Sequence, residues 1–277
     1  MQAEKRTVRF DNDLEIEAYH FEGIMQKFPN HFHEHYVVGV VANGRRYMTC
    51  KNKGYTINAG DLVLFNPHDN HACEQVDAHA LDWRCLNIEK DVIRGAVAEI
   101  TGRDELPVFT STVVCQSEAA ATLIDLHEMI MTEAKDFNKE EHFYFLIERL
   151  LADCTKPTTE ALVQVSGEIR AACDYMERNY TESITLADLG HVSGLGKYTL
   201  LRNFTRQRGI TPYQYLSTIR IDKAKKLLQA SVSPLETALQ TGFTDQSHFT
   251  RFFKNFIGIT PKLYQDIFSE VTADGSN

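Results

Sequence analysis

At 277 residues with 43% hydrophobic content, the chain can bury a sizeable core and divide into two domains. No run approaches the roughly 18 uninterrupted apolar residues of a membrane span, and the charged start from Met1 to Phe10 has no apolar signal core, so a cytoplasmic protein without membrane contact is expected. The net charge of -9 excludes nucleic acid as a partner of the chain at large, but from Ser166 onward there are 13 Lys and Arg against 11 Asp and Glu, leaving 16 against 27 before it. Only the C-terminal part suits a polyanion.

The first half reads as short strands separated by turn residues. His35 to Val41, Arg45 to Cys50, Tyr55 to Ile57, Leu62 to Phe65 and Leu81 to Ile88 are β-rich runs. Asn43-Gly44, Asn52-Lys53-Gly54, Ala59-Gly60-Asp61 and the Asn66 to Asn70 loop divide them, and this regular spacing predicts a barrel or sandwich. The period then becomes helical in Lys90 to Ile100, Ser117 to Ala134 and Glu140 to Cys154. Leu123, Leu126, Ile130 and Met131 share a face, and the last two helices are read as an antiparallel hairpin whose stripe either serves dimerisation or packs on the barrel. The six cysteines are scattered without a C-x-x-C pair and are read as reduced, packed thiols.

Lys156-Pro157-Thr158-Thr159 interrupts the pattern, which places a linker at 155–166 between an N-terminal domain, 1–154, and a helical domain, 167–268, with a tail at 269–277. Within the first domain the barrel is expected over about 15–88 and the helices over about 89–154. The C-terminal region repeats itself at an offset of 49 residues: Leu200 pairs with Phe249, Arg202 with Arg251, Phe204 with Phe253, Tyr215 with Tyr264, and Gly209-Ile210-Thr211-Pro212 with Gly258-Ile259-Thr260-Pro261. An identical tetrapeptide and a matching upstream Arg-x-Phe at one offset mark a duplicated supersecondary unit.

Each copy is a short helix, a Gly-containing turn and a longer helix: Thr185 to Val192, Ser193-Gly194, then about Gly196 to Arg208; Pro234 to Gln240, Thr241-Gly242, then Asp245 to Phe256. That is the arrangement of a helix-turn-helix, whose second helix enters a major groove. With Leu200 and Phe204 inward, Tyr198, Thr199, Leu201 and Arg202 are left outward; with Phe249 and Phe253 inward, Gln246, Ser247, Thr250 and Arg251 are left outward. These are candidate contacts to bases and phosphates. Pro212 to Ala230 reads as one connecting helix between the copies. A plain helical bundle serving protein partners is the alternative.

These residues, with Leu186-Ala187-Asp188-Leu189 and Gly242-Phe243-x-Asp245-Gln246-Ser247, resemble the AraC/XylS family of regulators over about 100 residues. The resemblance implies an α+β multidomain protein: an N-terminal effector domain, here a cupin-like β-barrel with a helical hairpin, and a C-terminal all-α domain with two helix-turn-helix motifs. It further implies an asymmetric site on double-stranded DNA and activation through RNA polymerase. The first copy departs from the family pattern, with Gly196 where a capping Ser is common and Leu201 at an often polar outward position.

In the N-terminal domain His31, His33 and His35 alternate, so on one strand they would share a face, and His71 follows one loop later. This resembles the metal-binding pattern of cupin barrels, with Zn, Fe or Ni as the fitting metals and Cys73 or Glu74 as substitutes for the usual Glu. The other reading is a metal-free barrel holding a small-molecule effector through His31, His33, His71, Trp83 and Arg84. A metal-dependent cupin enzyme is the competing function, though it leaves the repeat unexplained; a homodimer is the expected oligomer.

Overall fold

The computed structural model describes residues 4–133, 138–155 and 165–274, with the side chains of 138, 198 and 269–274 excepted. Most of the expected linker therefore lies outside the described residues. The chain forms two compact units, Met1–Lys27 with His33–Thr159 and Phe28–Phe32 with Glu160–Asn277. The strands in chain order are β1 (Lys5–Asp11), β2 (Ile16–Ile24), β3 (Phe28–His31), β4 (Tyr36–Asn43), β5 (Arg45–Cys50), β6 (Lys53–Asn58), β7 (Leu62–Phe65), β8 (His71–Gln75), β9 (Leu81–Ile88) and β10 (Val113–Val114). The helices are α1 (Lys90–Thr101), α2 (Glu118–Met131), α3 (Asn138–Cys154), α4 (Gly167–Arg178), α5 (Leu186–Ser193), α6 (Lys197–Arg208), α7 (Pro212–Gln229), α8 (Pro234–Gln240), α9 (Gln246–Ile257) and α10 (Pro261–Asp274).

In the first unit an antiparallel sheet runs in the order β1-β2-β9-β4-β7-β10, and β8, β5 and β6 pair in a second. The two-residue period of a strand assigns each side chain to a face. Ile16, Ala18, Tyr36, Val38, Val40, Leu62, Leu64, Leu86 and Ile88 of the larger sheet share one apolar cluster with Leu123, Leu126 and Ile130 of α2 and Leu146, Ile147 and Leu150 of α3. The opposite face of β2, β4 and β9 bears Glu17, Tyr19, Phe21, Val37, Gly39, Val41, Trp83, Cys85 and Asn87, paired across the strands.

Of the two readings of the hairpin stripe, packing on the sheet is the one observed: Leu123 and Leu126 are fully buried. Burying such a side chain is worth about 1.5–3 kcal/mol, which fixes the hairpin to the strands. The Nζ of the buried Lys139 also pins the start of α3 to the β1–β2 turn, donating to Asp11 Oδ2 at 2.6 Å and Asp13 Oδ2 at 2.8 Å. β1 and β2 precede the expected strands, so the sheet begins well before His35. All six cysteines are free, as read, but Cys115 is exposed and so is not a packing residue.

Among its described residues the second unit is helical apart from β3. In α4, Ile169, Ala172, Cys173 and Met176 are buried at a helical spacing, an amphipathic face that the composition of this stretch already carries. Starts of α5, α7 and α8 are set by capping boxes, Thr185 with Asp188, Thr211 with Gln214 and Ser233 with Glu236. Gly209 and Gly258 end α6 and α9 in the left-handed conformation. Between α8 and α9, Gly242 has φ +77, and a Cβ there would come within 2.8 Å of the Thr181 and Tyr180 carbonyl oxygens, so the turn admits only glycine. α10 continues to Asp274, into the stretch read as a tail.

Candidate functional site

The two longer helices of the repeat, α6 and α9, are held by equivalent core residues. Leu200 and Phe204 in α6, and Phe249 and Phe253 in α9, are completely buried. Those anchors turn Thr199 and Arg202 outward on α6, with Leu201 half-buried; the side chain of Tyr198 lies outside the described residues. On α9 they leave Gln246, Ser247 and Arg251 exposed and Thr250 half-buried. Thr199, Arg202, Gln246, Ser247 and Arg251 thus lie on the exposed side expected from the repeat, and Leu201 and Thr250 only partly so.

The copies differ where their reading helices begin. Asp245 caps α9, its carboxylate accepting the His248 N–H at 2.7 Å, and that backbone hydrogen bond holds the carboxyl below the usual carboxylate range. Gly196 precedes α6 with no side-chain cap. Two cations outside the sequence reading, Arg206 and Lys254, are exposed one turn beyond Arg202 and Arg251. Their i+4 and i+3 spacing from the paired arginines was the available signal.

In the first unit, the His33 ring stacks on His35 with centroids 4.9 Å apart and lies 5.1 Å from His71, which stacks on Phe65 at 3.8 Å. The expectation of three histidines on one strand is corrected: β3 ends at His31, the chain bends at Glu34 and His35, and β4 begins at Tyr36. His31 belongs to the segment grouped with the second unit, where its Nδ1–H donates to Pro29 O at 2.7 Å and burial pushes its pKa down to about 4. His71 Nδ1–H likewise donates to Asp69 O at 2.9 Å, which selects the tautomer whose Nε2 carries the lone pair.

Trp83 is half-buried and lies against Gly39 of β4. A Cβ on Gly39 would come within 2.2 Å of the Trp83 ring, so the glycine makes room for the indole. Arg84, expected beside it, is on the opposite face of β9 and donates from Nη1 to Glu128 Oε1 of α2 at 2.8 Å. One residue along a strand reverses the side, which sets Arg84 on the face opposite Trp83. Glu74 is exposed and pairs with Lys27 at 3.8 Å, burial pushes the Cys73 thiol up to about 12, and neither is among the grouped ligand atoms that include those of His33 and His71. A polar group that the sequence reading missed is Glu17, which accepts from Tyr19 Oη at 3.1 Å and from Asn87 Nδ2 at 3.4 Å. It was hidden because β2 was not recognised as the strand pairing Glu17 with Asn87.

Comparison with known proteins matches this division. A model of the helix-turn-helix domain matches residues 189–267, and one of the AraC-like ligand binding domain matches residues 13–147. The uncharacterized HTH-type transcriptional regulator YbfI of Bacillus subtilis (strain 168) is 49% identical over 249 residues, 90% of either chain. This chain belongs to the AraC family of transcriptional regulators. The HTH-type transcriptional activator RhaS of Klebsiella pneumoniae (strain 342) is 24% identical to the regulator over 252 residues, 85% of this chain and 86% of its own. ToxT from Vibrio cholerae O395 shares the fold, with a TM-score of 0.54 and 16% identity, covering 92% of the regulator and 97% of its own chain. Among the described residues no helix of the regulator is long and apolar enough to cross a membrane.

Proposed function

We propose that the regulator activates transcription by laying α6 and α9 in successive major grooves of an asymmetric promoter site, in response to a small molecule held between the sheets of its first unit. The observation that carries this reading is the pair of equivalent helices whose buried anchors leave Arg202 and Arg251 outward at the same repeat position. Related activators such as RhaS support activation as the outcome, and contact with RNA polymerase and pairing with a second copy follow from the same reading. His33, His71 and Trp83 are the effector contacts, and Arg84 is withdrawn from that set.

Selection of bound duplexes from a random pool by the full-length protein tests the DNA reading. Arg251→Ala is expected to weaken the selected duplex by about 1–3 kcal/mol and to relax preference at one position. An unchanged affinity would overturn the assignment of that residue.

A divalent cation is a second occupant of the first unit, since one ligating nitrogen of His33 lies within 4.8 Å of one on His71. His71 Nδ1–H, bonded to a backbone carbonyl, orients the imidazole in the way metal-bound histidines are oriented. Bound there, Zn, Fe or Ni would supply a Lewis acid. Elemental analysis of the purified protein and of a His33→Ala/His71→Ala variant tests this: metal present in the first and lost in the second supports it, and equal negligible metal overturns it.

A further inference from the structure

Five residues far from the reading helices in sequence are built into their unit. Phe32 is 2% exposed and shares an apolar cluster with Leu200, Phe204, Ile210, Tyr215 and Leu216. Its ring lies 5.1 Å from that of Tyr215, which meets the Phe204 ring edge-on at 5.5 Å. Asn30 Nδ2 donates at 3.0 Å to the carbonyl of Gly209, the left-handed residue that ends α6. His31 meets Phe256, in the last turn of α9, edge-on at 5.4 Å. Phe28–Phe32 thus touches the end of α6, the first turns of α7 and the end of α9.

We propose that Phe28–Phe32 is a brace that fixes the mutual placement of the two reading helices, with Asn30, His31 and Phe32 as positioning residues that set the spacing of the DNA half-elements. The inference rests on the reading that α6 and α9 both enter DNA. α7 joins the two copies covalently and so limits their distance. The helix sets its own residues at fixed angles, so the rotation of each copy about the α7 axis depends on side-chain packing at its own end. A segment touching both reading helices and α7 removes that freedom. Base readout is sensitive to it, because shifting one half-element by a base pair moves it about 3.4 Å along the duplex and turns it around the axis.

The test uses the full-length protein and a duplex it selects from a random pool. The separation of the two half-elements is lengthened and shortened one base pair at a time, and affinity is measured at each separation for wild type, Asn30→Ala, His31→Gln and Phe32→Leu. Wild type is expected to show one optimum and to lose about tenfold or more for a one-base-pair change. The variants are expected to flatten that profile to less than about threefold while each half-element keeps its base preferences. A variant that keeps the wild-type profile, or loses affinity equally at every separation, would overturn the brace. Asn30→Ala deletes one hydrogen bond and no core packing, so it decides the matter even where Phe32→Leu folds poorly. A wild-type protein that selects no duplex would overturn the DNA reading and the brace with it; a selected duplex with unaltered variant profiles overturns the brace alone.

Discussion

Gly39 and Trp83 form a pair in which the smaller residue determines where the larger can lie. Because a Cβ at position 39 would overlap the indole, Gly39→Ala must displace Trp83, at a cost of about 1–3 kcal/mol. Trp83 is the single tryptophan of the chain, so its emission reports the change directly. A shifted emission maximum and a lowered unfolding midpoint are expected, with unaltered fluorescence the contrary result.

His127 gives a second residue-scale prediction. It is 1% exposed, its Nε2–H donates to Tyr19 O at 3.0 Å, and burial lowers its pKa from 6.5 to about 4. The bond to the Tyr19 carbonyl and the Glu128 carboxylate oppose that lowering, while His20, whose ring lies 5.6 Å away, and Arg84 add to it. The folded pKa is below the unfolded one, so on acidification the unfolded chain takes up the proton first. Stability is therefore intact above about pH 7 and falls as the pH drops from 6.5 towards 4. Urea midpoints measured across that window should decline for wild type and decline less for His127→Gln.

At the scale of elements, the boundaries follow from local chemistry. Thr211 is the N-cap of α7, and its hydroxyl accepts the Gln214 N–H while the Gln214 side chain accepts the Thr211 N–H. Thr211→Ala removes the hydroxyl that accepts the Gln214 N–H at the start of the helix joining the readers, leaving the Thr211 N–H bond of the backbone in place, and is expected to cost about 1 kcal/mol of the second unit's stability by thermal unfolding. Gly196 is the uncapped counterpart of Asp245. Gly196→Ser should stabilise α6 by a few tenths of a kcal/mol and raise the same midpoint slightly.

At the scale of the whole molecule, the acidic bias of residues before Ser166 and the small positive excess after it predict salt-dependent DNA binding carried by few cations. Affinity should fall linearly on logarithmic axes with salt, by about 0.9 in slope for each phosphate neutralised. Arg206, exposed one turn beyond Arg202, is a cation placed for the backbone. Arg206→Ala should reduce the slope by about 1 without altering sequence preference; an altered preference would make it a base contact.

Elements whose signal is local or repeated are readable directly from the residues. The duplicated Gly-Ile-Thr-Pro, the capping residues Thr185 and Ser233, and the anchors Phe204 and Phe253 each encode a helix boundary or a buried face within a few residues, so the reading helices and their outward residues were legible. The side of β9 that Arg84 occupies, the joining of Glu17 to Asn87, and the separation of His31 and His35 from a common strand emerge only with the packed fold. Those outcomes depend on strand register and on partners distant in the chain, where a shift of one residue exchanges interior and exterior. Nor does any local pattern mark Phe28–Phe32 as part of the helical unit: its partners Tyr215, Gly209 and Phe256 are more than half the chain away, and packing alone brings them together.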